Sequence, residues 1–477
     1  MKERNKLQSI IKKYQNMSKR EKWHQVYSNL WVTPIIYAGI ALLLFVLTVW
    51  ADLKMDLGEM MPSVFSAGFQ LTSTILSTLT AGLLSLTSFT FYGVLTALTT
   101  FSSQFSPRIL KNFMMTRGTQ RTIGIFIGSF LYVLYCLLFL NGETTSQYCL
   151  IPLTATLLTT LSLGAFTFFI NHIVTWLQVS NMTGDMKRES IDIIENSLLS
   201  ELEPYRVKDN NSIIGQIPKN QGHNIGIDNS GYLQTIDFVP LISEACKDDL
   251  IIHLEYKVGN FVFAATPILT YWKKNEATTI DEYKYRDMFH IGKNQTEIQD
   301  IEFSINKFVE IAIRALGNDD PKTASGTIYE IGDLLINISQ KAKFTPYLTD
   351  ENCNLRLILQ NLDFEDYLYI SFASIRHYAR NNVVITVELL RVLDAIAQAV
   401  SQRDHQHVWE FAVYTASGFE YEYMHHLDQK KFYDGLFNIA ETTGNEENYK
   451  KLTEQISKQS KRSYERIDSE QFHRYKQ

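Results

Sequence analysis

The sequence predicts a mostly α-helical membrane protein: a four-helix transmembrane domain with an overlong second helix, followed by a small β module and an α-helical cytoplasmic domain. Three observations predict this fold class. Long apolar runs without charge fill the first 180 residues. An alternating apolar pattern with a Gly-Asn turn follows at 231–275, and apolar residues recur at helical spacing from residue 300 onward.

Composition and motif content argue against several classes of function. The 477 residues are 45% hydrophobic and 20% charged, with a formal net charge of −6. This mild acidity, without a basic stripe, argues against a nucleic-acid partner. The four cysteines lack the spacing of a zinc site or a disulfide framework. The sequence contains no phosphate-binding, dinucleotide, metalloprotease or nucleophile-elbow motif, so we expect no enzymatic activity, no cofactor and no metal.

Four apolar runs are long enough to cross a bilayer. The first, from Trp31 to Trp50, has twenty residues without a charge, which covers a hydrocarbon core of about 30 Å. The predicted spans are 31–50, 63–92 with an extension to 106, 123–140, and 150–178. A continuous helix from 63 to 106 would be roughly 65 Å long, which exceeds the bilayer.

The distribution of Lys and Arg predicts the orientation. Residues 1–30 hold eight Lys or Arg, and the loop after the second span carries four more with no acid. The other two loops are acidic. The positive-inside rule therefore places the N-terminus in the cytoplasm, and four spans return the C-terminal region there.

One face of the second run carries hydroxyls in place of charges, whereas the opposite face carries Ile75, Leu79 and Leu83. Two interpretations are open. Small residues can let helices pack closely in lipid, and hydroxyls can line a water-filled path. On the second interpretation the candidate lining residues are Thr74, Ser77, Ser85, Ser88, Tyr92, Thr96 and Thr99, and the candidate inner mouth is formed by Arg108 and Lys111.

The remaining segments follow from local patterns. Residues 1–30 are a basic cytoplasmic segment, and 181–230 are predicted to form a stalk helix and a loop. Residues 231–275 predict a small β module that resembles a barrel-sandwich hairpin, with two strands about the turn Gly259-Asn260. Helices are expected across 276–465, including one at 350–361, and 466–477 form a polar tail.

Several motifs resemble, in the same order, a bacterial family of predicted integral membrane proteins known only as a domain of unknown function. The segments are "LWVTP" (30–34), "SSQFSPRILKNF" (102–113), "GSFLYVLY" (128–135), "FINHIVTWLQVSN" (169–181), "GYLQTID" (231–237), "VGNFVFAATPIL" (258–269) and "DIEFSINKFVEIAIRAL" (300–316). The resemblance covers nearly the whole chain. It implies four spans and a bacterial plasma-membrane location, and it implies no particular activity.

Two functions from different classes remain. The first is a homo-oligomeric channel or channel-like pore with a cytoplasmic regulatory domain. The second is a membrane-anchored scaffold or regulator whose cytoplasmic helices bind a protein partner. The spans contain no chain of Asp, Glu and Lys of the kind that proton-coupled transport requires, which favours the first function over a pump.

Overall fold

The computed structural model describes twelve ranges of the chain: 31–54, 66–104, 116–140, 147–176, 178–193, 202–207, 213–274, 279–296, 299–341, 345–360, 362–419 and 424–456. These residues belong to two compact units, which divide in the sequence between Asn181 and Met182. The first unit contains the apolar helices, and the second contains two sheets and a set of packed helices.

The described residues of the first unit form four long helices, and each is apolar and long enough to cross a membrane. They are α1 (Val32–Lys54), α2 (Phe69–Gln104), α3 (Arg117–Phe139) and α4 (Leu150–Trp176). The prediction of four spans is confirmed. Helix α2 has 36 residues. Its length is therefore about 54 Å, well beyond a hydrocarbon core of about 30 Å.

Helix α3 lies at the centre of the first unit and packs against α1, α2 and α4. Two of its glycines allow α1 to approach closely. A Cβ added at Gly124 would lie 2.8 Å from Cδ2 of Tyr37, and one at Gly128 would lie 3.1 Å from the Tyr37 carbonyl oxygen. Small residues at such contacts matter in a membrane, because lipid provides no hydrophobic drive for helices to associate.

Polar contacts join the helix ends at one side of this unit. Asp52, which is buried near the end of α1, accepts hydrogen bonds from the backbone N–H groups of Leu150 and Ile151 at the start of α4. Two short strands, β1 (Ala67–Gly68) before α2 and β2 (Gln147–Tyr148) before α4, pair antiparallel. The end of α1 and the starts of α2 and α4 are thus held together.

The predicted stalk begins as a separate helix. Helix α4 ends at Trp176, and α5 (Val179–Ile193) follows after a break. Within the second unit, Nζ of Lys187 on α5 lies 2.6 Å from a carboxylate oxygen of Glu330 and 3.0 Å from one of Asp333. These ion pairs fix α5 to the helices of that unit.

Two sheets form the β part of the second unit. Its strands are β3 (His223–Gly226), β4 (Gly231–Ile236), β5 (Leu250–Leu254), β6 (Phe261–Val262), β7 (Pro267–Lys273), β8 (Phe289–Gly292), β9 (Tyr347–Thr349) and β10 (Leu355–Ile358). The five-stranded sheet has the order β3-β7-β5-β10-β9, and the three-stranded sheet has the order β6-β4-β8. Strands β5 and β10 are parallel, and the other neighbours are antiparallel. Helices α6 (Phe238–Lys247) and α7 (Glu282–Arg286) connect the strands.

The antiparallel pair predicted about the turn Gly259-Asn260 is present, but a further strand, β6, interrupts it. Strand β5 pairs with β7, and β6 pairs with β4 in the other sheet. Gly259 turns the chain with a φ of 92°, a conformation that glycine adopts without steric cost. Its N–H donates to the carbonyl of Leu233 at 2.8 Å. The β region also extends beyond the predicted module, from His223 to Ile358.

The prediction of a helix at 350–361 is wrong, because this segment contains a turn and strand β10. A carboxylate oxygen of Asp350 accepts hydrogen bonds from the N–H groups of Asn352 and Asn354, each at 2.9 Å, which closes the turn. Leu357 then pairs with Ile252 of β5, 105 positions earlier in the chain. A distant strand partner decides the conformation here, and local periodicity does not reveal it.

Seven further helices of the second unit lie among the described residues. They are α8 (Ile301–Gly317), α9 (Pro321–Lys341), α10 (Phe364–Tyr378), α11 (Val383–Ala399), α12 (His405–Ser417), α13 (His426–Thr443) and α14 (446–456). Carboxylates cap several of them: Asp300 accepts from the N–H of Phe303 at 2.8 Å, and Asp320 accepts from that of Thr323 at 3.1 Å. The predicted tail at 466–477 lies outside the described residues.

Candidate functional site

Helix α2 has two distinct faces within the first unit. Leu76, Leu83, Val94 and Ala97 are buried on the face that packs against α3 and α4. Gly93 lies on the same side, where an added Cβ would be 3.9 Å from side-chain atoms of α4. Through this face α2 packs against the other helices of the chain.

The predicted lining residues all lie on the other face of α2. Each is exposed in the single chain, and the set comprises Thr74, Ser77, Ser85, Ser88, Tyr92, Thr96 and Thr99. The tyrosine side chain is 69% exposed. Packing against the chain's own helices therefore does not account for this hydroxyl face. The predicted inner mouth, Arg108 and Lys111, lies outside the described residues.

Five of the seven hydroxyl groups of this face donate to the backbone of their own helix. Thr74 donates to the carbonyl of Gln70 at 2.8 Å, and Ser85 donates to that of Ala81 at 3.0 Å. Ser88 donates to the carbonyl of Leu84 at 2.9 Å. Such bonds satisfy the O–H donor and leave the oxygen lone pairs turned outward as acceptors. These five side chains can therefore contact water or a cation without leaving an unpaired donor.

The outward faces of α1 and α4 differ from that of α2. Aliphatic side chains dominate them, such as Ile36, Leu43 and Leu47 on α1 and Leu157 and Leu163 on α4. These are the side chains expected to face lipid. Helix α2 also exposes apolar residues, including Leu84 and Phe89, but it combines them with the hydroxyl row. Its outward surface is therefore the most polar of these three.

A second candidate site surrounds Asp300 in the second unit, and sequence reasoning missed it. A cavity of about 110 Å³ is lined by residues from β4, β5, α6, α8, α10 and the connecting loops, among them Arg206, Lys257, Gln299, Asp300 and Tyr367. Asp300 is 4% exposed. A Cβ at Gly259 would overlap its carboxylate, so the glycine turn and the carboxyl group fit together.

Burial raises the pKa of Asp300 to about 7. The N–H of Phe303 and the charge of Lys257 oppose this increase, and the charge of Glu302 adds to it. Lys257 is engaged by Glu302, with 2.5 Å between Nζ and the carboxylate oxygen. A buried carboxyl group that titrates near neutral pH beside a cavity is typical of functional sites.

A sequence signal for this site did exist. Three of the quoted motifs, at 231–237, 258–269 and 300–316, converge on it. The N–H of Leu233 donates to the carbonyl of Asn260 at 2.9 Å, and Asp300 and Glu302 begin the third motif. Separate motifs that meet in space indicate a shared site, but their proximity depends on sheet pairing that the sequence does not display.

Residues 27–395 match a family described as "Predicted membrane protein (DUF2254)". The chain belongs to this family. The matched region of the DUF2254 protein includes all four spans, the hydroxyl face of α2 and the surroundings of Asp300. It ends within α11, so α12, α13 and α14 lie beyond it.

Three mycobacterial proteins similar to this DUF2254 protein are described as uncharacterized. This chain is 26% identical over 329 residues to the uncharacterized protein Mb1321c of Mycobacterium bovis. The same identity and length hold for the uncharacterized proteins MT1328 and Rv1290c of Mycobacterium tuberculosis. Each match covers 66% of this chain and 62% of the relative. The match thus spans less than two thirds of each relative. No solved structure matches the DUF2254 chain.

Within the described part of the DUF2254 chain, one group of side chains has the composition of a metal site. Ligand atoms of Glu365, His407 and Glu410 lie within 4.8 Å of one another. Both glutamates are exposed, and Glu410 accepts a hydrogen bond from Gln406 at 2.7 Å. Exposed groups of this kind are common on helical surfaces, so this cluster is a weaker candidate than the other two sites.

Proposed function

We propose that this DUF2254 protein is a homo-oligomeric channel or channel-like pore, with the hydroxyl face of α2 turned towards the axis of the assembly. One observation carries the proposal: the seven lining candidates form an outward face that the chain's own helices leave uncovered. Hydroxyl groups that face lipid tails form no hydrogen bonds with them. The same groups turned to water can replace part of an ion's hydration shell.

A single α2 helix cannot enclose a path, so the proposal requires several copies of the chain. The aliphatic outward faces of α1 and α4 suit the lipid-facing rim of such an assembly. Helix α3, which lies between the other spans, would hold the rim and the lining together in each copy. Closed rings are the usual symmetry of membrane pores built from one kind of subunit.

The proposed location is a bacterial plasma membrane, with both termini in the cytoplasm. The basic segment at 1–30 and Arg117 and Arg121 at the start of α3 support this orientation under the positive-inside rule. The contact between Asp52 and the start of α4 would then lie near the outer surface. The second unit would be cytoplasmic and could regulate the pore.

Ion flux into liposomes that contain the purified full-length protein tests the proposal. The double substitution Ser88→Leu, Thr96→Leu adds apolar bulk to the hydroxyl face and should abolish flux while the oligomer persists. Thr167→Leu is the matched control, because Thr167 is exposed on α4 and makes the same kind of bond to its own backbone. Flux in this control should equal that of the unmodified protein. Intact oligomers that conduct under no ionic, pH or voltage condition would contradict the proposal.

A membrane-anchored scaffold is the second candidate function. It is favoured by exposed aromatic side chains on the helices of the second unit. Tyr369 on α10 and Tyr414 on α12 have ring centroids 6.2 Å apart, and the guanidinium of Arg376 lies 4.1 Å from the ring of Tyr414. Aromatic and Arg side chains are enriched where proteins bind partners. If the hydroxyl face serves only in packing, the double substitution should disrupt the oligomer itself.

A further inference from the structure

A groove of about 1070 Å³ runs along the outer surface of α3 and α4. Its walls are mostly apolar, with threonines from both helices, and its lining includes Arg121 and Ile125 of α3 and Leu157, Leu161, Gly164 and Phe168 of α4. The groove uses neither the hydroxyl face of α2 nor the surroundings of Asp300. A ligand bound in this groove would therefore be separate from the proposed conduction path.

The shape of the groove suits an extended hydrocarbon chain. Its lining on α4 runs from Leu153 to Phe168, about 22 Å along the helix axis at about 1.5 Å per residue. Gly164 keeps the groove open between Leu161 and Phe168, since no atom lies within 4 Å of the position that a Cβ would occupy there. An acyl chain that lies along α4 would thus contact leucine side chains over most of one helix surface.

One end of the groove is positively charged. Arg121 lies one turn into α3, and its side chain is exposed. Arg117 is four residues earlier and shares that helix face. Helices α3 and α4 contain no Asp or Glu. Among the described residues, no carboxylate forms an ion pair with Arg121, so its guanidinium can pair with an added anion.

A polar contact orders the helix ends beside Arg121. Oγ1 of Thr116 lies 3.2 Å from Nε2 of His172, and the imidazole stacks on the ring of Phe168, which lines the groove. Thr116 also caps α3 by accepting from the N–H of Thr119. The positive end of the α3 helix dipole adds to the charge of the two arginines at this level.

We infer that this groove binds an anionic glycerophospholipid, with an acyl chain along α4 and the phosphate paired with Arg121. Guanidinium groups form bidentate, charge-assisted hydrogen bonds with phosphate oxygens. A zwitterionic lipid also has a phosphate, but its own cationic group partly neutralises that charge. Basic pockets between membrane helices recognise anionic headgroups in this way. The lipid would fill the space between α3 and α4 and stabilise the first unit.

Lipid titration of the full-length protein in detergent tests the inference. Bound lipid is counted by native mass spectrometry, with phosphatidylglycerol and phosphatidylcholine of identical acyl chains as probes. The expected result is about tenfold tighter binding of phosphatidylglycerol, the range that one charge-assisted pair supplies. Glycerol phosphate, which lacks acyl chains, should not compete at the same concentration. Equal binding of the two lipids, or full competition by glycerol phosphate, would overturn the inference.

Two substitutions separate the charge from the groove. Arg121→Gln should bring the affinity for phosphatidylglycerol close to that for phosphatidylcholine, and Arg121→Lys should keep part of the difference. Gly164→Leu should weaken binding of both lipids, because the new side chain fills the groove without a clash. Gly39→Leu is its matched control, since Gly39 is equally open on α1 and lies outside the groove. Unchanged binding in both Arg121→Gln and Gly164→Leu would overturn the inference.

Discussion

The carboxylate of Asp52 accepts a hydrogen bond of 2.9 Å from the backbone N–H of Ile151, 99 positions later in the chain. Its second oxygen accepts from the N–H of Leu150 at 3.0 Å. The first N–H groups of a helix have no partner within that helix, so a carboxylate from α1 satisfies two of them on α4. The contact joins the first span to the fourth and fixes their relative height in the first unit.

Loss of this cap should destabilise the protein. Asp52→Ala leaves the N–H of the buried Ile151 and that of the half-buried Leu150 without an acceptor, so we expect a decrease of about 1–3 kcal/mol in the free energy of unfolding. Thermal unfolding in detergent measures it. Lys54→Ala, at the exposed end of the same helix, should change stability by less than about 0.5 kcal/mol. Equal melting temperatures for Asp52→Ala and Lys54→Ala would contradict the proposed role.

The contact between α1 and α3 depends on the absence of a side chain at Gly124. Gly124→Ala should cost about 1–3 kcal/mol, because the new Cβ would press against the ring of Tyr37. Truncation of the ring in Tyr37→Ala should relieve this clash, so the double variant should lose less stability than the two single changes combined. Additive losses, measured by thermal unfolding, would show that the helices meet in another way.

Stability should depend on pH through Asp300. Its pKa is raised from 3.8 to about 7 in the folded protein because the carboxyl group is buried. The folded state therefore binds the proton more tightly than the unfolded state. The contribution is complete below pH 3.8 and is lost as the pH rises through about 7.

Asp300→Asn is the variant that tests this pH dependence. Asparagine keeps the cap on α8 but cannot ionise. The stability of the unmodified protein should fall relative to that of Asp300→Asn between pH 4 and 7, as followed by denaturant unfolding. Parallel pH profiles for the two proteins would refute the assignment.

The turn at Gly259 should tolerate no side chain. Gly259→Ala would place a Cβ on the carboxylate of Asp300 in a left-handed backbone conformation. Gly444 has a similar φ of 70°, but its surroundings are open. Gly444→Ala should therefore cost only the backbone term of about 1–2 kcal/mol, and Gly259→Ala should cost more. Similar losses in both variants, measured by denaturant unfolding, would count against a tight fit between the turn and Asp300.

Local pattern predicted the parts of the fold that local forces determine. The four spans, the length of α2 and the amphipathic helices such as α8 and α11 follow from apolar runs and helical periodicity. The hydroxyl face was also predicted, because its spacing is a property of one helix. The spacing of residues within one helix does not predict what that face contacts.

Long-range contacts account for what the sequence did not reveal. The parallel pairing of Leu357 with Ile252 makes a strand of a segment that was predicted to be helical. The cap from Asp52 to α4 and the approach of Gly259 to Asp300 likewise join residues that are distant in the chain. The raised pKa of Asp300 results from burial by these contacts, so it could not be predicted before they were known.

Water accessibility of the hydroxyl face is the most direct test of the proposed pore. Single cysteines at Ser88 and, as a control, at Thr167 on α4 would be compared in liposomes, with Cys246 and Cys353 replaced by Ser because they are at least partly exposed. The measurement is the rate of reaction with a small, charged thiosulfonate that does not cross lipid. The proposal predicts rapid reaction of Ser88→Cys and slow reaction of Thr167→Cys. Equally slow reaction at both positions in intact oligomers would contradict it.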